Sequence, residues 1–186
     1  MRVPSGNVAE LLERMGRAST PPVPAAKSGI TLAELLNVEC AVGDEPKILF
    51  VGSKQLFSAL IQAGFSAVWA VPGAAVTQAQ PRTIHTMIIE NAAFDEGPWL
   101  NADSGGKRPL AQEIFDAGRL LRARGALVFY LPTFKRPIGI DEAFIKSTAT
   151  VDLAKIPAED LEEGASQSSL WRFLVGFLDR TRENTR

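Results

Sequence analysis

Cysteine and histidine are almost missing from this chain. Among its 186 residues, Cys40 is the only cysteine and His85 the only histidine. A single cysteine can form neither an internal disulfide nor a thiolate metal cage, so we expect a reducing compartment. A single histidine excludes a histidine-cluster metal site, and we expect no metal. A Ser-His-Asp triad would have to use His85, although a lone histidine between apolar strand residues is more often structural.

Long apolar runs and an excess of charge of one sign are also lacking. No run reaches the length of a membrane span, and residues 1–16 mix Glu and Arg with leucine, unlike the apolar core of a secretory signal. The formal net charge is -1, which gives no electrostatic reason to expect nucleic acid or an anionic membrane as partner. We therefore expect a soluble, cytoplasmic protein that binds neither.

Residues 1–45 are predicted to form an N-terminal arm with short helices. Apolar residues recur at helical spacing over 7–17, a proline-rich linker follows at 19–24, and Thr31 with Glu34 forms a capping-box pair before a second short helix. Such short helices are marginal alone in water. The arm therefore needs a surface to pack on, which would be its own domain or a partner.

Residues 46–186 are predicted to form one α/β domain with a C-terminal helix. Its strands are predicted at four apolar runs, 47–52, 67–71, 83–90 and 126–131. These runs are apolar throughout rather than alternating, which is typical of strands covered on both faces. Predicted crossover helices after the first run and at 109–124 indicate parallel pairing. The fold class is therefore a three-layer Rossmann-like domain with a mostly parallel sheet.

The pattern is weaker after Pro132. Residues 143–153 have room for one or two short strands. A final helix is predicted to start at Ser166 or Ser168, because apolar residues at helical spacing follow these two N-cap candidates.

Glycine fingerprints for nucleotide cofactors are absent. The turn after the first strand contains one glycine, Gly52, followed by Ser53, whereas a dinucleotide fingerprint needs three spaced glycines. Ser53 either contributes to a phosphate site or, more simply, caps the next helix. The segment 104–108 has two glycines and two cations before a helix, and it is either an anion site or a flexible loop. We expect no cofactor, and a nicotinamide- or ATP-dependent enzyme is disfavoured.

Polar residues crowd the end of the third predicted strand. Glu90 ends that strand, and Asn91 and Trp99 lie in the loop that follows, with further acidic and amide residues between 95 and 101. Ligands bind at the carboxyl ends of parallel strands, and polar groups beside a tryptophan suit a sugar or another polar small molecule. The alternative is a solvated loop that Trp99 anchors into the core. The candidate ligand-binding residues are Ser53, Glu90, Asn91 and Trp99.

Residues 84–132 contain a strand that ends in Glu90, a loop with Gly97-Pro-Trp99, a helix that ends in Arg124-Gly125, and another strand. This order resembles the N-terminal Rossmann-like half of the CgeB-like, spore-maturation type of GT-B glycosyltransferase. In that family the N-terminal half usually binds the acceptor and the C-terminal half the nucleotide-sugar. We expect no counterpart of that second half within these 186 residues. The resemblance therefore implies a module for a sugar or nucleotide-sugar, incomplete as an enzyme alone, with Glu90 and Trp99 as ligand contacts.

A non-catalytic assembly role is the second hypothesis, because fold does not determine function. In that case the protein would use this fold together with its N-terminal arm to contact a protein partner or a second copy of itself. The proline-rich composition of the arm is the support for it, since such a segment is ordered only when something holds it.

Overall fold

Five short apolar segments form one sheet in the computed structural model, which describes residues 45–133, 136–156 and 168–183. The predicted arm at 1–45 lies outside these ranges apart from Glu45. The strands are β1 (Lys47–Val51), β2 (Ala67–Trp69), β3 (Ile84–Glu90), β4 (Leu127–Leu131) and β5 (Val151–Asp152). Their order is β2-β1-β3-β4-β5, and every neighbouring pair is parallel. The predicted α/β class with a parallel sheet is confirmed.

Helices connect the strands. They are α1 (Lys54–Gln62), α2 (Ala75–Gln78), α3 (Arg108–Ala123), α4 (Glu142–Lys146) and α5 (Ser169–Glu183), and a 3-10 turn follows β3 at Asn91–Phe94. Within the predicted 143–153 region the chain forms most of α4 and then the short β5, rather than two strands. The final helix begins at Ser169, close to its predicted start.

Both faces of the sheet are covered, which explains why its strands are apolar throughout. Alternate strand residues point to opposite faces. On one face the strands pack against α2, α3 and α4 through Leu49, Val51, Met87, Ile89, Val128 and Tyr130. On the other face they pack against α1 and α5 through Ile48, Phe50, Ile88, Phe129 and Leu131. The domain therefore has three layers, with the sheet in the middle.

The loop after β3 is held to the core by a buried indole. The Trp99 side chain is fully buried, and its Nε1–H donates to the Ala70 carbonyl oxygen at 3.1 Å. The start of α2 is held from α3, because the Glu113 carboxylate accepts the N–H groups of Gly73 and Ala75 at 2.7 and 2.8 Å. These contacts lie on the α2–α3 side of the sheet and make that layer a rigid support.

The strand order places a crevice at the carboxyl ends of β1 and β3. The chain leaves β1 towards β2 on one side and returns to β3 on the other side, so α1 and α2 cover opposite faces. In open α/β sheets this reversal of strand order is where ligands bind. Within the described ranges, no helix combines the length and the apolar character needed to cross a bilayer.

Candidate functional site

The turn between β1 and α1 is tight and capped. Ser53 has extended backbone angles, and its Oγ accepts the Leu56 N–H at 3.3 Å, as an N-cap residue does. Gly52 precedes it, and there is no room for a side chain at that position, because a Cβ would overlap the Phe50 ring. Ser53 therefore caps α1, as the simpler of its two interpretations from the sequence predicted.

Glu90 connects the ends of three strands. It is only 2% exposed. Its Oε2 accepts the Ser53 N–H at 2.7 Å, and its Oε1 accepts the Thr133 hydroxyl at 2.7 Å. One carboxylate thus fixes the turn after β1, the end of β3 and the segment after β4 relative to one another. Both of its oxygens have protein partners, so Glu90 is a positioning residue for the walls around it.

A cleft of about 350 Å³ opens above this carboxylate. Its volume falls in the lower part of the usual range for ligand pockets. The lining combines hydroxyl, amide, carboxylate and apolar groups from the strand ends and from α1 and α5: Ser53, Gln55, Glu90, Ala92, Asp95, Glu96, Thr133, Phe177 and Thr181. The site therefore combines polar side chains with apolar surface, to which the largely buried Phe177 contributes.

Two of the four predicted ligand residues line this cleft. These are Ser53 and Glu90. Asn91 lies beside them in the turn after β3 and is 4% exposed. Its Oδ1 accepts a hydrogen bond of 3.4 Å from the Thr133 hydroxyl. Trp99 does not reach the cleft, because its ring belongs to the core cluster on the α3 side of the sheet. Trp99 therefore anchors the loop into the core, which was the alternative to ligand contact in the interpretation of the sequence.

An arginine beside the cleft is already paired. The Arg136 Nη2 atom lies 3.0 Å from both carboxylate oxygens of Asp103, and its Nη1 lies 3.5 Å from Asp95 Oδ2 and donates to the Asn91 carbonyl oxygen at 3.3 Å. Asp103 is fully buried, and burial raises its pKa although Arg136 acts in the opposite direction. Arg136 therefore holds the loop after β3 rather than meeting a ligand anion.

The electrostatic character of the cleft is acidic. Its lining contains the three carboxylates of Glu90, Asp95 and Glu96, and neither lysine nor arginine occurs among the lining residues that the structure describes. Like charges at short range are unfavourable where water is partly excluded. A phosphate in the cleft would therefore meet like charge, which the ion pair of Asp95 with Arg136 reduces only at that one carboxylate.

A second polar cluster lies on the other face of the sheet, around α4. The Tyr130 hydroxyl donates to Glu142 Oε1 at 2.9 Å, and Lys146 Nζ lies 2.6 Å from the same oxygen. Burial raises the pKa of Tyr130, and the neighbouring Glu142 charge adds to that rise. Burial also works to raise the pKa of Glu142, but hydrogen bonds from Lys146 and Tyr130 outweigh it and lower that pKa. These groups satisfy one another and serve the packing of α4.

The remaining sequence candidates lie away from the cleft. At the start of α3, Arg108 forms an ion pair with Asp141 and its guanidinium stacks on the Phe144 ring at 4.1 Å. That cation is thus paired within the protein. His85 is exposed near the start of β3, at the opposite end of the strand from Glu90. Cys40 lies outside the described residues.

Five lining residues were not predicted from the sequence: Gln55, Ala92, Thr133, Phe177 and Thr181. Thr133 follows the end of β4, so the rule that ligands meet the carboxyl ends of strands was a signal that would have found it. Phe177 and Thr181 lie on α5, and no local pattern indicates which part of the sheet that helix covers.

Within the described ranges, no three or more histidine, cysteine, aspartate or glutamate side chains are grouped so as to hold a metal ion. Comparison of the chain with protein-family models, with curated proteins and with solved structures gave no match.

Proposed function

We propose that this chain is a Rossmann-like module that binds a sugar in the cleft at the carboxyl ends of β1 and β3, and that it is incomplete as an enzyme alone. The observation that carries the proposal is the set of groups that meet there. Hydroxyls, an amide and carboxylates line the cleft, and Phe177, which is 7% exposed, adds an aromatic residue to the lining. Carboxylates and amides hydrogen-bond sugar hydroxyls, while the C–H face of a sugar ring packs on an aromatic side chain.

The charge of the cleft favours a free sugar over a nucleotide-sugar. The diphosphate of a nucleotide-sugar would meet Glu90, Asp95 and Glu96. Helix N-termini usually offset such charges with free backbone N–H groups. At α1 the Ser53 N–H is bonded to Glu90 and the Leu56 N–H to Ser53, so these two donors are already used. The resemblance of residues 84–132 to a glycosyltransferase half supports the same ligand class.

The first test is binding of single sugars. We expect at least one of glucose, galactose and N-acetylglucosamine to raise the melting temperature and to bind more tightly than UDP-glucose in calorimetry. Gln55→Ala removes an exposed cleft amide and should weaken that binding about fivefold, the effect of roughly one hydrogen bond. Lys54→Ala is the matched control, because Lys54 is exposed and adjacent but does not line the cleft.

Two results would contradict sugar binding at this cleft. One is that none of the three sugars binds at 10 mM, a concentration on the order of the weakest dissociation constants of specific binding. The other is that Gln55→Ala and Lys54→Ala bind the sugar with the same affinity as the unchanged chain, which would place the ligand elsewhere.

A role in assembly is the second candidate, and one observation favours it. Ile138 and Ile140, in the segment before α4, are 79% and 83% exposed. Isoleucine is among the residue types most often buried, and exposed apolar patches mark interaction surfaces. The proposal here is self-association of the chain, in which the N-terminal arm also takes part.

Replacement of these isoleucines tests self-association. If they form a contact between copies, light scattering should show a dimer or larger species for the unchanged chain and a monomer for Ile138→Ser/Ile140→Ser. Leu127→Ser is the control, because Leu127 is 45% exposed but lies at the start of β4. A monomer for the unchanged chain at all concentrations tested would eliminate the self-association role.

A further inference from the structure

A second depression continues from the cleft and lies between α1 and α5. Its volume is about 390 Å³, similar to that of the cleft. The two share three lining residues, namely Gln55, Phe177 and Thr181. The cleft and this α1–α5 groove therefore adjoin each other, and the largely buried Phe177 lies at their boundary.

The groove carries several polar side chains and extends along α1 away from the strand ends. On α1 the spacing of Gln55, Ser58 and Gln62 places all three side chains on the same helix face. All three are exposed. They offer two amides and one hydroxyl, each able both to donate and to accept hydrogen bonds. On the opposite side are Arg180 and Thr181 of α5.

The chemistry of the groove matches that of the cleft except for charge. No aspartate or glutamate occurs among its described lining residues, and Arg180 replaces the acidic groups of the cleft. Uncharged donors and acceptors beside a shared aromatic ring suit another hydroxyl-rich ring. Each of the two volumes lies within the range that holds a small ligand.

We propose that the α1–α5 groove is a second sugar subsite, so that the ligand of this protein is an oligosaccharide of at least two rings. One ring occupies the cleft beside Phe177, and the next occupies the groove against Ser58 and Gln62. This inference rests on the proposed sugar-binding function. It makes the length of the ligand, rather than the stereochemistry of one ring, a main determinant of affinity.

The test compares ligands of increasing length. The probes are glucose, maltose and maltotetraose, and N-acetylglucosamine with its β-1,4-linked dimer and tetramer. Calorimetry on the full chain should show at least tenfold tighter binding of the dimer than of the single ring in the series that binds, because the second ring adds contacts without a second loss of translational freedom. The tetramer should bind about as tightly as the dimer, since two subsites are then filled.

A double variant assigns this gain to the groove. Ser58→Ala/Gln62→Ala changes two exposed positions of α1 to a strong helix former, so folding is preserved. It should remove the tenfold gain for the dimer while the affinity for the single ring stays within twofold. Lys54→Ala should change neither value.

The outcomes separate the subsite from the sugar-binding function. A single ring that binds as tightly as its dimer overturns the second subsite and leaves the cleft proposal standing. The second subsite is also overturned if the double variant weakens the binding of the single ring and of the dimer by the same factor. If no probe of either series binds, the second subsite is overturned, and the sugar-binding function is overturned with it when galactose also fails to bind.

Discussion

Glu90→Ala is expected to lower the free energy of unfolding by about 3–5 kcal/mol and to abolish sugar binding. The buried carboxylate accepts two hydrogen bonds of 2.7 Å, from the Ser53 N–H and from the Thr133 hydroxyl. Hydrogen bonds to a charged group contribute about 1.5–3 kcal/mol each, and their donors would be left without an acceptor. The three strand ends that form the cleft would then lose their shared connection.

Urea unfolding followed by circular dichroism measures this loss, with calorimetry for ligand binding. Glu96→Ala is the matched control, since it removes an exposed carboxylate from the same cleft and should change stability by less than about 0.5 kcal/mol. The free energy of unfolding of Glu90→Gln should lie between those of Glu90→Ala and Glu96→Ala. Its amide oxygen still accepts one of the two hydrogen bonds, but its N–H group faces the donor of the other. Equal stability of Glu90→Ala and Glu96→Ala would show that the two hydrogen bonds do not hold the strand ends.

Gly52→Ala is expected to destabilise the fold by about 3 kcal/mol, the upper part of the range for overpacking. The added Cβ would overlap the Phe50 ring and lie 2.7 Å from Glu90 Oε2. The Phe50 ring is fully buried and packs against Phe57 and Trp69, with ring centroids 5.6 Å away in both cases. Neither neighbour can move freely, because the ring is enclosed and the carboxylate is held by its two donors.

The matched control for this substitution is another glycine. A Cβ at Gly176, within α5, meets nothing within 4 Å. Gly176→Ala should therefore raise stability by about 0.5–1 kcal/mol, the usual gain of alanine over glycine in a helix. Thermal and urea unfolding of both variants give the comparison. A Gly52→Ala protein within 1 kcal/mol of the unchanged chain, roughly the effect of an ordinary substitution, would contradict the close approach at this turn.

Elements with a clear apolar run or helical period were predictable from the sequence, including the three-residue β2, whereas α2 was missed and β5 was predicted only as a short strand within 143–153. Apolar runs predicted β1, β2, β3 and β4, and helical spacing predicted α3 and α5 to within a few residues. The helix α2 has four residues and β5 has two. Neither is long enough to show a period, so their structure comes from packing: the Glu113 carboxylate holds the start of α2, and β4 pairs with β5.

The candidate site was predictable where it depends on strand ends. Ser53 and Glu90 line the cleft because parallel strands bring their carboxyl ends to one edge. The position of Trp99 was not predictable, because a loop tryptophan either faces a ligand or fills the core, and composition does not distinguish the two. Here the Ala70 carbonyl offers the indole N–H a buried partner. Phe177 and Thr181 depend on where α5 packs, which is a long-range property of the fold.

The position of α5 has a consequence for the order of synthesis. The ribosome produces β1, β3 and β4 well before α5, although α5 supplies Phe177 and Thr181 to the cleft and covers one face of the sheet. Domains fold during synthesis from the N-terminal side, and apolar surface left bare in that interval is prone to aggregate. The nascent sheet therefore lacks the cover that α5 gives, for example at Phe129, whose ring lies 6.4 Å from that of Trp171, until this last helix emerges. A prematurely terminated chain would lack both this cover and one wall of the cleft.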